Sequence, residues 1–300
     1  MTVRTRNRLI ALSIIAAPFV FLLGLLLFWD AEPLPPIPTL PNPNGYEDLV
    51  KAGEMASTNS WNYEAMNDAQ LRETVSANTE ALSLVRTGLS NECREPSQFT
   101  VPYLDRHFSE LVGFKRLAQA LMAEGRLDEM QGRFGDAAKS YLDLIHLGNQ
   151  TARGGILIDA LVGVAIENMG VTGLQKVSGP LDAKSCRKAV VTLEILDSQR
   201  QTWDEVMQQE RDWSRRTFPG VRYELVRLMS RNSLNKAYQS AKQKFENQQS
   251  KTRQLIIEFA ARTYELDKGH PPANLADLVP DYLKTIPQDP FTGTNMVYSP

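Results

Sequence analysis

Apolar positions along this chain fall into two regimes. One is an unbroken run near the N-terminus; the other is a set of stripes at helical spacing that continues to about residue 268. The run from Leu9 to Trp29 is uncharged and about 21 residues long, enough to cross a bilayer as a helix. Asp30 and Glu32 close it, and Pro33, Pro35, Pro36, Pro38, Pro41 and Pro43 follow. That proline density predicts an extended polyproline stretch over 31–43, with a reach of roughly 34 Å at about 3.1 Å per residue. It reads equally as a spacer holding a domain off a membrane and as a linker too proline-rich to fold.

Beyond the stretch, the pattern predicts helices almost throughout. Asn44 suits the cap of a helix from Tyr46 to about Met55. Leu71, Val75, Leu82 and Val85 share a face of one helix that starts at Asn67 or Asp68 and ends at Gly88. Pro102 fits the first turn of a helix carrying Leu104, Phe108, Leu111, Val112, Leu117, Leu121 and Met122. Gly154 to Gly173 is the most apolar internal segment, but Asp159, Glu167 and Asn168 make a buried core helix the expectation over a second span. Ala183 to Arg216 reads as one long amphipathic helix, broken by Pro219-Gly220. Val221 to about Asn247 reads as a second, and Leu255 to Tyr264 as a further, separate one. From Gly269 the pattern changes. Asn274 caps a short helix Leu275–Leu283, Asp289-Pro290-Phe291-Thr292-Gly293 is turn chemistry, and Met296-Val297-Tyr298 suits a short strand. The expected fold class is therefore all-α. Its parts are a tail and transmembrane anchor (1–30), a proline-rich linker (31–43), an irregular helical domain (44–268) and a C-terminal helix-turn-strand module (269–300).

Charge sets the orientation. Arg4, Arg6 and Arg8 all precede the apolar run, so the positive-inside bias leaves the N-terminus in the cytosol and the domain outside it. A cleaved signal is the rival reading; the run is longer than a signal core and lacks a small-x-small site. No Cys follows it to carry a lipoprotein anchor. Overall charge is only −2, yet residues 44–150 hold 16 acidic against 10 basic residues and 184–253 hold 8 against 15. The two halves can pack on each other, or the basic half can face an acidic partner such as lipid headgroups. Arg211 and Arg215, then Arg227 and Arg231, are i,i+4 pairs that form a basic face, for which a solvated surface is the simpler reading. Nucleic acid is not expected as a partner at this address. Cys93 and Cys186 form a candidate disulfide for an oxidising compartment, subject to geometry that sequence does not show.

Residues Leu117 to Leu147 (LAQALMAEGRLDEMQGRFGDAAKSYLDLIHL) resemble one tetratricopeptide-type helical hairpin. Leu121, Gly125, Gly132, Ala137 and Tyr141 fall where that family places its Trp, first Gly, turn Gly, small Ala and aromatic, while Asn149 stands in place of the usual Pro. The resemblance covers one repeat, about a tenth of the chain. It implies that Gly125 packs against Ala137 and that Leu121, Tyr141 and Leu144 line a partner-binding groove; the same residues read equally as core. The segment Gly269 to Ser299 resembles the tail of type II secretion pseudopilins. It is more similar to a module closing many membrane-anchored helical proteins of planctomycetes, where further strand follows the Asp-Pro turn. The prepilin cleavage pattern is missing, so only the module is carried over.

Catalytic signatures are absent: the sequence holds no HExxH, no GxSxG and no phosphate-binding loop. His107, His146 and His270 are too scattered to suggest zinc, and neither metal nor cofactor is expected. Asp159 and Glu167 are the least ordinary acids, expected in satisfied core hydrogen bonds. The sequence thus points to a membrane-tethered, extracytoplasmic helical scaffold that binds another envelope protein, most simply at a bacterial inner membrane. The alternative is an anchored envelope enzyme with no recognisable motif.

Overall fold

A computed structural model describes residues 17–21, 34–57, 63–218 and 221–297, with side chains of 221–233 outside the described set. Most of the apolar run Leu9–Trp29 therefore lies outside the described residues; 17–21 are helical. The described residues are predominantly helical and no strand occurs among them, so the fold is all-α.

Nine helices of at least ten residues follow Asn44 among the described residues. α1 (Gly45–Met55) begins where the Asn44 side chain accepts the Tyr46 N–H at 3.2 Å. The same amide donates to the Arg94 carbonyl at 2.7 Å, so one cap also ties α1 to the loop after α3. The segment expected as a single helix to Gly88 is two, α2 (Asp68–Ala77) and α3 (Thr79–Leu89). Asn78 makes the break. Its buried amide donates to the carbonyls of Ser57 (2.7 Å) and Thr74 (2.8 Å) and accepts the Ser57 N–H (2.9 Å), which competes with helix continuation.

α4 (Val101–Met130) and α5 (Phe134–Thr151) form an antiparallel hairpin with Gly132 at φ +72° in the turn. The close approach differs from the expected one. Gly125 faces the Tyr141 ring rather than Ala137; a Cβ there would sit 2.5 Å from Tyr141 Cε1. Gly173, on α6 (Leu157–Val177), meets the same Cδ1–Cε1 edge of that ring, where a Cβ would sit 2.6 Å away. The ring is clamped between two glycines on different helices, and its hydroxyl donates to Glu129. α5 is thus the central helix, packed on α4 and α6.

α6 is long and apolar enough to span a membrane (mean hydropathy 1.5), but half of its most apolar window is buried. It packs on α4 and α5 and carries Asp159 and Glu167 at 1% exposure, which marks a core helix. The helix expected over 183–216 is divided into α7 (Ala183–Ser198) and α8 (Trp203–Thr217). Thr202 and Glu205 form a capping box that restarts the helix, and Arg200 in the gap is drawn inward to Glu167. Conversely, the two helices expected after Pro219 are one, α9 (Val221–Lys268), 48 residues long. Residues 248–254 contain no Gly or Pro to interrupt it. α7 packs along α9, and one large core runs from α1 through α7 and α9 to Leu278 and Leu283.

In the C-terminal segment, Asn274 caps only a 3-10 turn, Leu275–Leu278, where an α-helix to Leu283 is expected. Pro280 lacks the N–H that continuation needs. The Asp289 carboxylate accepts the N–H groups of Phe291 (2.7 Å) and Thr292 (3.1 Å), and Gly293 turns the chain at φ +70°. The expected strand over 296–298 reduces to one antiparallel bridge, Gln288–Asn295; Tyr298 lies outside the described residues.

Candidate functional site

The C-terminal segment folds back over α7 and α9 and leaves an open cleft of about 900 Å³. Its floor is apolar, built from Ile256 on α9 and Val279, Ile286 and Pro287 on the segment. Polar bonds fix its walls. Arg253 on α9 donates from Nε to Asp197 Oδ2 on α7 (2.9 Å) and from Nη1 to the Gln288 carbonyl (2.7 Å). Glu194 accepts the Lys284 N–H at 2.9 Å. Val191 and Ile195, one turn apart on α7, stay 46% and 43% exposed beside Glu194 and Ser198, which line the cleft. A mixed cleft with a fixed frame and an apolar margin suits a peptide-like ligand: the floor takes side chains, and the rim offers hydrogen bonds.

Behind one wall lies a buried ion pair. Arg200 (5% exposed) donates from Nη1 to Glu167 Oε2 at 2.8 Å and bonds Oε1 through Nη2. Thr252 donates to the same Oε1 at 2.7 Å. Three elements, α6, the α7–α8 connection and α9, therefore converge on one carboxylate.

A second buried centre surrounds His107 on α4, which is 0% exposed. Its Nε2 lies 2.5 Å from Asp159 Oδ1 on α6, and Nδ1 lies 3.3 Å from Glu110 Oε2 and 3.7 Å from Glu95 Oε1. Tyr46 on α1 donates to Glu110 at 3.0 Å, and Tyr103 stacks on the imidazole with ring centroids 5.0 Å apart. Asp159 also accepts the Ile156 N–H at 2.7 Å, and Glu210 on α8 accepts the Leu157 N–H at 2.9 Å, so two carboxylates serve the N-terminus of α6. Burial alone would lower the His107 pKa. Hydrogen bonds to Asp159 and Glu110 and the field of Asp159 and Glu95 outweigh it and push the value up to about 10. Burial, with the charges of Asp159 and Glu110, pushes the Glu95 carboxyl up to about 7 despite the Ser97 hydrogen bond and His107. The centre holds a proton on an enclosed imidazole and binds five elements together. Among the described residues, no group of three or more His, Cys, Asp or Glu is arranged to hold a metal ion.

The residues expected to line a partner groove do not do so. Leu121, Tyr141 and Leu144 are 0%, 1% and 0% exposed, because α6 closes over the face that a solenoid hairpin leaves concave. Cys93 and Cys186 are both free and buried in separate places. Cys93 lies against Gly88 and Gly45, and Cys186 sits on α7 below Leu181. Burial pushes their thiols up to about 12 and about 11. Of the basic face, Arg211 is exposed and Arg215 half-buried, while the Arg227 and Arg231 side chains lie outside the described residues. The proline-rich stretch is not free along its length: Arg216 stacks on Phe99 (5.0 Å to the centroid) and donates to the Pro35 carbonyl.

Sequence reasoning missed the cleft, the Arg200 pairing and the His107 centre. Two hints were local: the buried acids Asp159 and Glu167, singled out without their partners, and the i,i+3 pair His107 and Glu110; the fold alone brings Glu95 and Asp159 to His107 and Arg200 to Glu167. No family model matches this chain, and neither a curated protein nor a solved structure matches it.

Proposed function

We propose that the protein is a membrane-tethered, extracytoplasmic helical scaffold that holds a segment of another envelope protein in the cleft between α7, α9 and the C-terminal segment. The observation that carries this reading is the open cleft itself, framed by the Arg253 bonds and extended by exposed Val191 and Ile195. The anchor is Leu9–Trp29, with Arg4, Arg6 and Arg8 on the cytosolic side. An anchored enzyme is the alternative, favoured by the His107–Asp159 pair, although both side chains are enclosed.

A photocrosslinker placed at Ile195 in the full-length protein tests the reading. It is expected to capture a discrete membrane partner, and Ile286→Glu is expected to abolish that adduct while leaving helix content unchanged. Capture that persists in Ile286→Glu, or none at Ile195, refutes the cleft as the partner site. A periplasmic reporter fused after Pro300 that stays inactive refutes the orientation.

A further inference from the structure

The stalk residue that Arg216 grips lies six residues beyond Trp29, the end of the apolar run. Six residues of fully extended chain cover at most about 20 Å. On the anchor reading, the C-terminal end of α8 is therefore held within that distance of the bilayer, far less than an unattached stalk permits. The surface brought down is suited to an interface. Leu34, Ile37 and Leu40 are 37%, 59% and 46% exposed, and a polyproline helix, with three residues per turn, would carry them on one face. Phe218, where α8 ends, is 39% exposed, and Arg211 is exposed two turns earlier. Trp213 fixes this end of α8 from behind: it is buried, and its indole N–H donates to the Gln98 carbonyl at 3.0 Å.

We infer that the stalk acts as a strap rather than a spacer. Clasped by Arg216, it lays the α8 terminus on the bilayer, where Leu34, Ile37, Leu40 and Phe218 enter the headgroup layer and Arg211 faces anionic phospholipid. A docked domain presents its cleft at a fixed attitude to a membrane partner. This rests on Leu9–Trp29 being the anchor.

The test uses the full-length chain in vesicles of phosphatidylcholine and phosphatidylglycerol containing headgroup-nitroxide lipid. A fluorophore is attached through Phe218→Cys or, as a distal reference, Lys284→Cys. Cys93 and Cys186 are buried and stay unlabelled. Quenching at position 218 is expected to be several-fold greater than at 284. Arg216→Gln, which releases the strap, is expected to reduce that difference at least twofold. So is the triple variant Leu34→Ser, Ile37→Ser, Leu40→Ser, whose exposed positions leave the core untouched. Equal quenching at 218 and 284 in protein that resists alkaline carbonate extraction overturns the strap but leaves the anchor standing. Extraction by carbonate overturns the anchor, and the strap with it.

Discussion

Removing Arg200 should be among the most damaging single changes in the domain. Arg200 and Glu167 are 5% and 1% exposed, so the carboxylate relies on the guanidinium rather than on solvent. Arg200→Met removes the guanidinium that lies over Phe245 and leaves the buried Glu167 carboxylate with the Thr252 hydroxyl as its remaining hydrogen-bond partner among the described residues. Breaking a buried pair in this way costs about 3–5 kcal/mol. With a urea m-value of about 3 kcal/mol/M for a chain of this size, the midpoint should fall by about 1–1.7 M. Glu167→Met should cost less, because Arg200 keeps Asp197 at 3.8 Å. The double variant Glu167→Met/Arg200→Met leaves no uncompensated charge: Thr252 retains the Gln248 carbonyl and Asp197 retains Arg253. It should lie within about 1 kcal/mol of the parent, or above it. Urea titrations of the four proteins in mild detergent, followed by far-UV circular dichroism, give all three differences. A loss below about 1 kcal/mol for Arg200→Met, or a double variant as unstable as the single, would refute the reasoning.

The His107 centre predicts a pH profile. The folded-state pKa of about 10 lies above the ordinary 6.5, so its contribution is complete below about pH 6.5 and is lost as pH rises towards 10. Glu95, raised from 4.5 to about 7, lowers stability progressively over that interval. His107→Gln should flatten the alkaline limb of a melting-temperature profile, and an unchanged slope between pH 7 and 10 would count against the proton assignment. Gly125→Ala, whose Cβ meets the Tyr141 ring, should destabilise by about 1–3 kcal/mol, whereas Gly135→Ala, with only Ser185 Oγ at 3.8 Å, should be neutral or gain up to about 1 kcal/mol. Thermal scans separate the two, and equal effects would contradict the clamped ring. Cys93 and Cys186 should both resist a thiol reagent at pH 8 and react on denaturation; a reading of zero thiols in denatured, unreduced protein would restore the disulfide.

Local signals carried much of the helix layout. Asn44, Pro102 and Gly132 mark boundaries that the structure keeps, because each acts through its own backbone neighbours. Two unexpected helix breaks come where a side chain reaches outside its own helix. Asn78 looks like an ordinary helical position until Ser57 arrives to bond it, and Arg200 leaves its helix to meet Glu167 from 33 residues away. Thr202-x-x-Glu205 forms a capping box that restarts the helix, and the reading of 183–216 as one amphipathic helix passed over it. Tyr141 shows the limit of a family-like pattern: the hairpin forms, but its groove is filled by a helix that no single repeat announces. The cleft was illegible for a similar reason, since its walls lie some 30 to 90 residues apart in the chain and are joined by Arg253 and Glu194.

The unbroken α9 gives the molecule a built-in gauge. At about 1.5 Å per residue its 48 residues measure about 72 Å, and the 32 steps from Val221 to Arg253 measure about 48 Å. Had the chain bent near residue 250, that separation would vary with every thermal fluctuation of a hinge. A single rod instead sets one distance between the α8 terminus and the Arg253 wall. Any partner would have to offer its segment at a matching reach, and each turn of α9 between those two points adds about 5.4 Å to it.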